Sequence, residues 1–299
     1  MITVAAAAAA SGGLPGLSHG LAFMQDDVAK WWFFGLPISY LAIAGLFRAC
    51  KLCAFKLKIS DKSGKLVDSN TRASDDLAFE IVAGFCVTYL AAAGIIGRYS
   101  LFGVDVWSKL SQDKFYGQDP YVTRHLIIPM IIYQLWDVVL CLQLDVLRSP
   151  ALIAHHLVAA ALAYFALNPY LHHSALFFFG IVEVTSIPLT VYDTCQKFER
   201  LGWKSSIAFH ASSVAFALSF IAVRMVMWVA ECAPFWTGSV DLLVSGRAHS
   251  SPVVVFFLLS NVFMTILQIV WGKQVVVGLL QVLGVLPPSQ DSSSDDKAK

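Results

Sequence analysis

Seven stretches of about twenty predominantly apolar residues recur along this chain, and that recurrence decides its fold class. They are Trp31–Ala49, Leu77–Gly97, Leu126–Leu147, Pro150–Leu167, His172–Tyr192, Ser206–Ala230 and Pro252–Trp271. An α-helix rises about 1.5 Å per residue, so roughly 20 residues cross the ~30 Å hydrocarbon core of a bilayer. Within lipid every backbone N–H and C=O must be satisfied by the segment itself, which leaves helices as the form for runs of this length. Composition agrees: 57% of the residues are hydrophobic and 14% charged, against about 25% charged in soluble domains. The expected architecture is all-α, a polytopic transmembrane helical bundle of about seven spans. A net charge of +1 excludes the basic surplus of a nucleic-acid binder.

The segments divide the chain into an N-terminal tail over 1–30, a first transmembrane helix with a basic loop over 31–74, a membrane domain over 75–286 and a solvated tail over 287–299. The run Ala5–Ala10 is of low complexity and lacks the basic start of a secretory signal peptide. Arg148-Ser149-Pro150 and Asn168-Pro169 are turn signals on either side of the short fourth segment, so segments three to five are expected to form a compact hairpin stack. After Lys273, Val275–Leu286 is too short to span and is expected as a separate interfacial helix.

Lysine and arginine set the sidedness, because they resist translocation. The loop after the first segment holds Lys51, Lys56, Lys58, Lys62, Lys65 and Arg72, with Arg48 at its edge. Threading the chain from there places Arg148, Lys197, Arg200, Lys204, Lys273, Lys297 and Lys299 on the same side, fourteen in all. Six lie opposite: Lys30, Arg98, Lys109, Lys114, Arg124 and Arg247. The bias predicts an external N-terminus and a cytosolic C-terminus. The six cysteines lie in or beside apolar runs and form no disulfide framework. Cys50 and Cys53 make a lone CxxC without the second pair that a zinc site needs. It is read as two inert thiols, with redox chemistry or acylation as the alternative.

Ionisable groups buried in lipid cost a few kcal/mol or more and need an internal partner or a watery cavity. Here they concentrate in segments three to six: Asp137, Asp145, the adjacent His155 and His156, Glu183 and Arg224. Each has a bracing role as its alternative, with Glu183 pairing Arg224 or a histidine. Neighbouring residues diverge by about 100° around a helix, so one histidine is expected to face a cavity while the other braces it. That spacing also argues against a metal, and no metal or other cofactor is expected. An imidazole that takes a proton, oriented by a carboxylate, suits the set better. Asp137, one of the two histidines and Glu183 are expected to line one cavity formed by segments three to five. His172 and His173 are read as interfacial.

Three stretches, WDVVLCLQLD, HHLVAAALAYFALNPYLHH and FGIVEVTSIPLTVYD, resemble the TLC-domain family of eukaryotic membrane proteins over about residues 75–280. The family includes the ceramide synthases and the translocation-associated membrane proteins. The sharpest points are Trp136-Asp137, His155-His156, and Glu183 followed by Thr185-Ser186, with Arg224 in a late helix. In ceramide synthases the histidine pair is followed by a His-Asp and, three residues on, a second Asp. Here those positions hold Val182-Glu183 and Ser186, so the chain looks more like the non-synthase branch.

The resemblance implies a multi-pass protein of the endoplasmic reticulum that acts in membrane lipid homeostasis. It implies a long-chain lipid bound or regulated in an intramembrane cavity, with the chain beside Phe177, Phe178 and Phe179 and the head near the histidines. Membrane lipids are the expected partners, with acyl-CoA or a sphingolipid as candidates and no nucleic acid. His155, His156, Glu183 and Asp137 are the candidate catalytic residues, and Asp145, Ser186 and Arg224 the polar partners of the cavity. The alternative is an acyl-CoA-dependent N-acyltransferase with the histidine pair as base. A translocation or trafficking role is a third reading.

Overall fold

The computed structural model describes residues 36–56, 72–102, 119–144, 149–168, 170–197, 206–282 and 285–287. Among them there is no strand, and seven helices carry the fold: α1 (Leu36–Lys56), α2 (Arg72–Phe102), α3 (Pro120–Gln143), α4 (Pro150–Phe165), α5 (His172–Lys197), α6 (Ile207–Val244) and α7 (Ser251–Val282). They coincide with the seven expected segments. Five of them, α2, α3, α5, α6 and α7, are long and apolar enough to cross a membrane. Large apolar side chains such as Phe85, Ile95, Leu142, Leu157 and Ile269 lie exposed on the outside of the bundle, as lipid-facing residues must. The chain is a multi-pass integral membrane protein. The tails, residues 57–71 of the basic loop, Asp145 and Arg148 lie outside the described residues; Lys51 and Lys56, read as part of that loop, belong to α1, which runs on past Ala49.

Local sequence sets the helix starts. Asp119 caps α3 by accepting a hydrogen bond from the Tyr121 N–H at 2.7 Å, with Pro120 preset for the first turn. Ser206 caps α6 through the Phe209 N–H at 3.2 Å. Pro150 opens α4. Two expected ends are corrected. The sixth helix continues past Ala230 to Val244, carrying Pro234 inside it. Lys273 does not break the seventh, which runs unbroken to Val282 in place of a separate interfacial helix over Val275–Leu286. A single exposed lysine ends an apolar run but is a good helix former, so it ends no helix.

Packing follows chain order only in part. α3 and α4 form the expected hairpin, and α1 lies along α2. In contrast to a three-helix stack, α5 packs against α2 and α6, and α4 finds its second neighbour in α7. The cause is a close crossing of α2 and α5 at Gly94 and Gly180. A Cβ built on Gly94 would lie 2.6 Å from the Gly180 Cα, and one on Gly180 2.5 Å from the Gly94 Cα. Only glycine permits this approach, and small residues are how membrane helices reach it.

Around that contact α5 changes its winding. A π turn over Leu176–Gly180 passes into a 3-10 stretch over Ile181–Thr185, and regular helix resumes at Ser186. Pro188 supplies the reason. Its ring crowds the carbonyl four residues back, that of Val184, which disfavours regular helix there, whereas a proline in the first turn of the resumed helix is tolerated. Glu183 sits within this break, and α6 has its own π segment, Phe220–Met227, around Arg224. Such segments concentrate at functional sites.

Candidate functional site

The bundle encloses a cavity of about 990 Å³ that opens at the end where α2 begins and α5 and α7 finish. Its mouth carries Ser149, Lys197 and Gln281. Its polar floor carries Asp137, His155, His156, Glu183, Ser186 and Arg224. Every candidate residue within the described segments therefore faces one space. The wall comes from α2 through α7, not from α3 to α5 alone, because the α2–α5 crossing swings α5 away from α4. A second, smaller cavity of about 80 Å³ lies deeper, sharing His155, Glu183 and Arg224 with the first and lined by Phe178 and Phe179. Phe177 instead is fully buried, its ring 6.4 Å from that of Trp228.

On the α3–α4 side the polar atoms satisfy one another. His156 Nδ1 lies 2.5 Å from Gln134 Oε1, and its Nε2 lies 3.3 Å from Asp137 Oδ2. Gln134 turns its amide nitrogen to the Met130 sulfur at 3.2 Å, which leaves its oxygen for the histidine. Asp137 also accepts from the Cys141 thiol at 3.4 Å and from the Tyr133 hydroxyl. His155 takes the other direction around α4, with Nδ1 3.2 Å from the Met264 sulfur and its ring edge-on to Trp271. The two rings diverge as adjacent positions must, yet both reach the large cavity.

The α5–α6 side is different. Arg224 donates from Nε to Thr185 Oγ1 at 2.6 Å and from its two terminal nitrogens to Ser186 Oγ at 3.4 Å and Gln268 Oε1 at 3.5 Å. The expected Glu183–Arg224 pairing is not a direct contact; the two interact as charges at longer range. Glu183 is 8% exposed, lines both cavities, and its carboxylate accepts no hydrogen bond from any described residue. Ser186, which stands where a second acid was considered, serves the arginine.

Two further corrections concern charges read as surface groups. Arg98 is not in an outer loop but inside α2, paired with the buried Glu231 of α6 at 2.6 Å. His172, read as interfacial, stands at the first turn of α5 and is fully buried among protein segments. Its Nδ1 accepts from the Asp119 N–H at 3.1 Å, and its Nε2 donates to the carbonyls of Ala166 and Asn168 at 3.0 and 3.1 Å. At the cavity mouth an ion pair between Glu80 and Lys197 ties α2 to α5. Sequence reasoning passed over Gln134 and Cys141. The signal was there, since Gln134, Asp137 and Cys141 sit at i, i+3 and i+7 of one helix and so share a face.

A family model described as the TLC domain matches residues 78–277, inside the stretch whose motifs suggested that family. No curated protein and no solved structure matches the chain. The match covers well over half of the sequence and all of the cavity-lining helices from α3 to α6: the chain belongs to the TLC-domain family.

Proposed function

We propose that the protein binds one long-chain lipid in the large cavity, from the cytosolic leaflet of the endoplasmic reticulum membrane, and so regulates membrane lipid composition. The observation that carries this reading is Glu183. A carboxylate in the low-dielectric interior of a bundle, with no hydrogen-bond donor of its own, costs several kcal/mol unless something else supplies one. A lipid head entering through the mouth would do so, while its chain lies against the apolar wall. A volume of about 990 Å³ is of the size that holds a ligand of a few tens of heavy atoms. The orientation rests on the lysine and arginine bias, which puts the mouth on the cytosolic side.

The acyltransferase reading keeps one observation in its favour: His156 beside Asp137 has the form of a base held by an orienting carboxylate. Against it stands Ser186, a neutral group at the second acidic position and already an acceptor for Arg224.

One experiment separates these readings. The full chain is purified in mild detergent, and its retained lipids are identified by mass spectrometry beside those of Glu183→Leu. Wild type is expected to keep about one lipid per chain and the variant to lose most of it. Equal lipid content in the two would overturn the proposal. In the same preparation a sphingoid base and acyl-CoA are expected to give no product. N-acylation that disappears in His155→Ala or His156→Ala would replace lipid binding with catalysis.

A further inference from the structure

The cluster around His156 has a property that its hydrogen bonds alone do not account for. The Met130 sulfur holds the amide nitrogen of Gln134, so Gln134 Oε1 faces His156 Nδ1 at 2.5 Å and makes that nitrogen the donor. A neutral imidazole then presents the lone pair of Nε2, and it points at a carboxylate oxygen of Asp137 only 3.3 Å away. Two acceptors do not rest against each other at that distance in a membrane interior. A cation must lie between them, either a proton or a metal.

Cys141 decides which is favoured. Its sulfur lies one helical turn beyond Asp137 and 3.4 Å from the other carboxylate oxygen. One ligand atom from each of Asp137, Cys141 and His156 falls within 4.8 Å of the others, and all three residues are buried. Ligands about 2.1 Å from a tetrahedral zinc ion stand roughly 3.4 Å apart, slightly more where one is sulfur. His156 Nε2 stands 3.3 Å from one Asp137 oxygen and Cys141 Sγ 3.4 Å from the other, close to that spacing, so the carboxylate offers an oxygen to a cation on either side while the three ligand atoms stay within 4.8 Å of one another. The geometry points to a binding site for one divalent d-block cation of the zinc type, held by Asp137, Cys141 and His156.

Charge supports it. A thiolate and a carboxylate together carry two negative charges, which a dication cancels, so the loaded site adds no net charge to the membrane interior. Binding expels the Cys141 thiol proton and the proton shared by Asp137 and His156. Gln134 then plays the part that outer groups play at metal sites, fixing the tautomer and the ring. Asp137 and His156 also line the large cavity, so a fourth ligand has a route in, as at zinc sites that keep a position open. This site does not depend on the lipid reading, because its test reads metal and not lipid.

The test uses the full chain with Cys50→Ser and Cys53→Ser, which removes the CxxC as a competing thiolate site. The protein is incubated with Co²⁺ and then titrated with Zn²⁺. One equivalent of Co²⁺ is expected to give a thiolate-to-cobalt charge-transfer absorption that Zn²⁺ abolishes. Cys141→Ser keeps a donor for Asp137 but cannot ligate as a thiolate, and should lack the band. Gln134→Leu should keep it with roughly 10- to 100-fold weaker metal affinity. No band in the Cys141-containing protein would mean that the cluster holds a proton only, and would overturn the proposal without reliance on any variant at the site. A band that survives Cys141→Ser would overturn it equally.

Discussion

The chain carries the dipeptide His-His twice, and the two copies have opposite fates. His172, at the start of α5, spends both ring nitrogens on backbone: the Asp119 N–H on one side, the Ala166 and Asn168 carbonyls on the other. It fastens three chain segments at the closed end of the bundle and is wholly shut off from any cavity. His156, in the middle of α4, spends its nitrogens on two side chains, Gln134 and Asp137, and lines the large cavity. Backbone partners have no other conformation to offer, so a histidine bound to them is a brace. Side-chain partners can exchange a proton, a metal or a ligand. What separates a structural histidine from a functional one here is the identity of its partners, not its burial, since both are buried.

That contrast can be broken in stability measurements. His172→Ala should cost the most, about 3 kcal/mol, because it empties a fully buried position and takes their partner from the Asp119 N–H and the buried Ala166 carbonyl, while the Asn168 carbonyl keeps the Tyr170 N–H. Chemical unfolding in detergent micelles would read this, with lipid per folded chain unchanged. A loss below about 1 kcal/mol would remove the brace. His156→Ala should cost less, about 2 kcal/mol, since Asp137 keeps Cys141 and Tyr133 as donors. Its larger effect should be on bound lipid, which is expected to fall several-fold.

A third histidine sharpens the comparison from outside the spans. His249 lies in the turn between α6 and α7, its ring 5.0 Å from that of Tyr170, and burial pushes its pKa below the ordinary histidine value. A group whose folded pKa is depressed binds its proton more readily in the unfolded chain, so stability rises with pH through that range. Lowering the pH from 7 through the unfolded value near 6.5 should therefore destabilise the protein. His249→Phe should flatten that part of the profile. An unchanged slope would show that the ring titrates freely.

Much of the fold was legible because lipid imposes a one-dimensional rule. Twenty apolar residues in a row can only be a helix, and Ser149-Pro150 and Ser206 marked two of the starts; the cap at Asp119-Pro120 was passed over, because the third segment was read from Leu126, where its apolar run begins. The ends were less legible. Lys273 and the polar stretch after Ala230 look like helix termini only if a change of polarity is taken for a change of conformation. The candidate residues were also legible, because charge is rare enough in a span to be conspicuous. Their partners were not. Gln134 and Cys141 carry no formal charge and were given no role, and Arg98 was counted with the basic residues of the outer side because α2 outruns its apolar core.

The sequence by itself determined that this chain is a helical membrane bundle and that its polar groups would converge on an interior, and its motifs carried the resemblance to the TLC-domain family. The first two follow from the free energy of transfer, which depends on residue type and order alone. Tertiary structure decided which groups meet. Gly94 against Gly180 turns α5 toward α2 and α6, and Pro188 rewinds the helix at Glu183. Together they leave that carboxylate without a donor while Asp137, Cys141 and His156 close on a common point. Such outcomes depend on how helices cross and rotate, and a crossing is set by contacts between residues far apart in the chain, which no local pattern encodes.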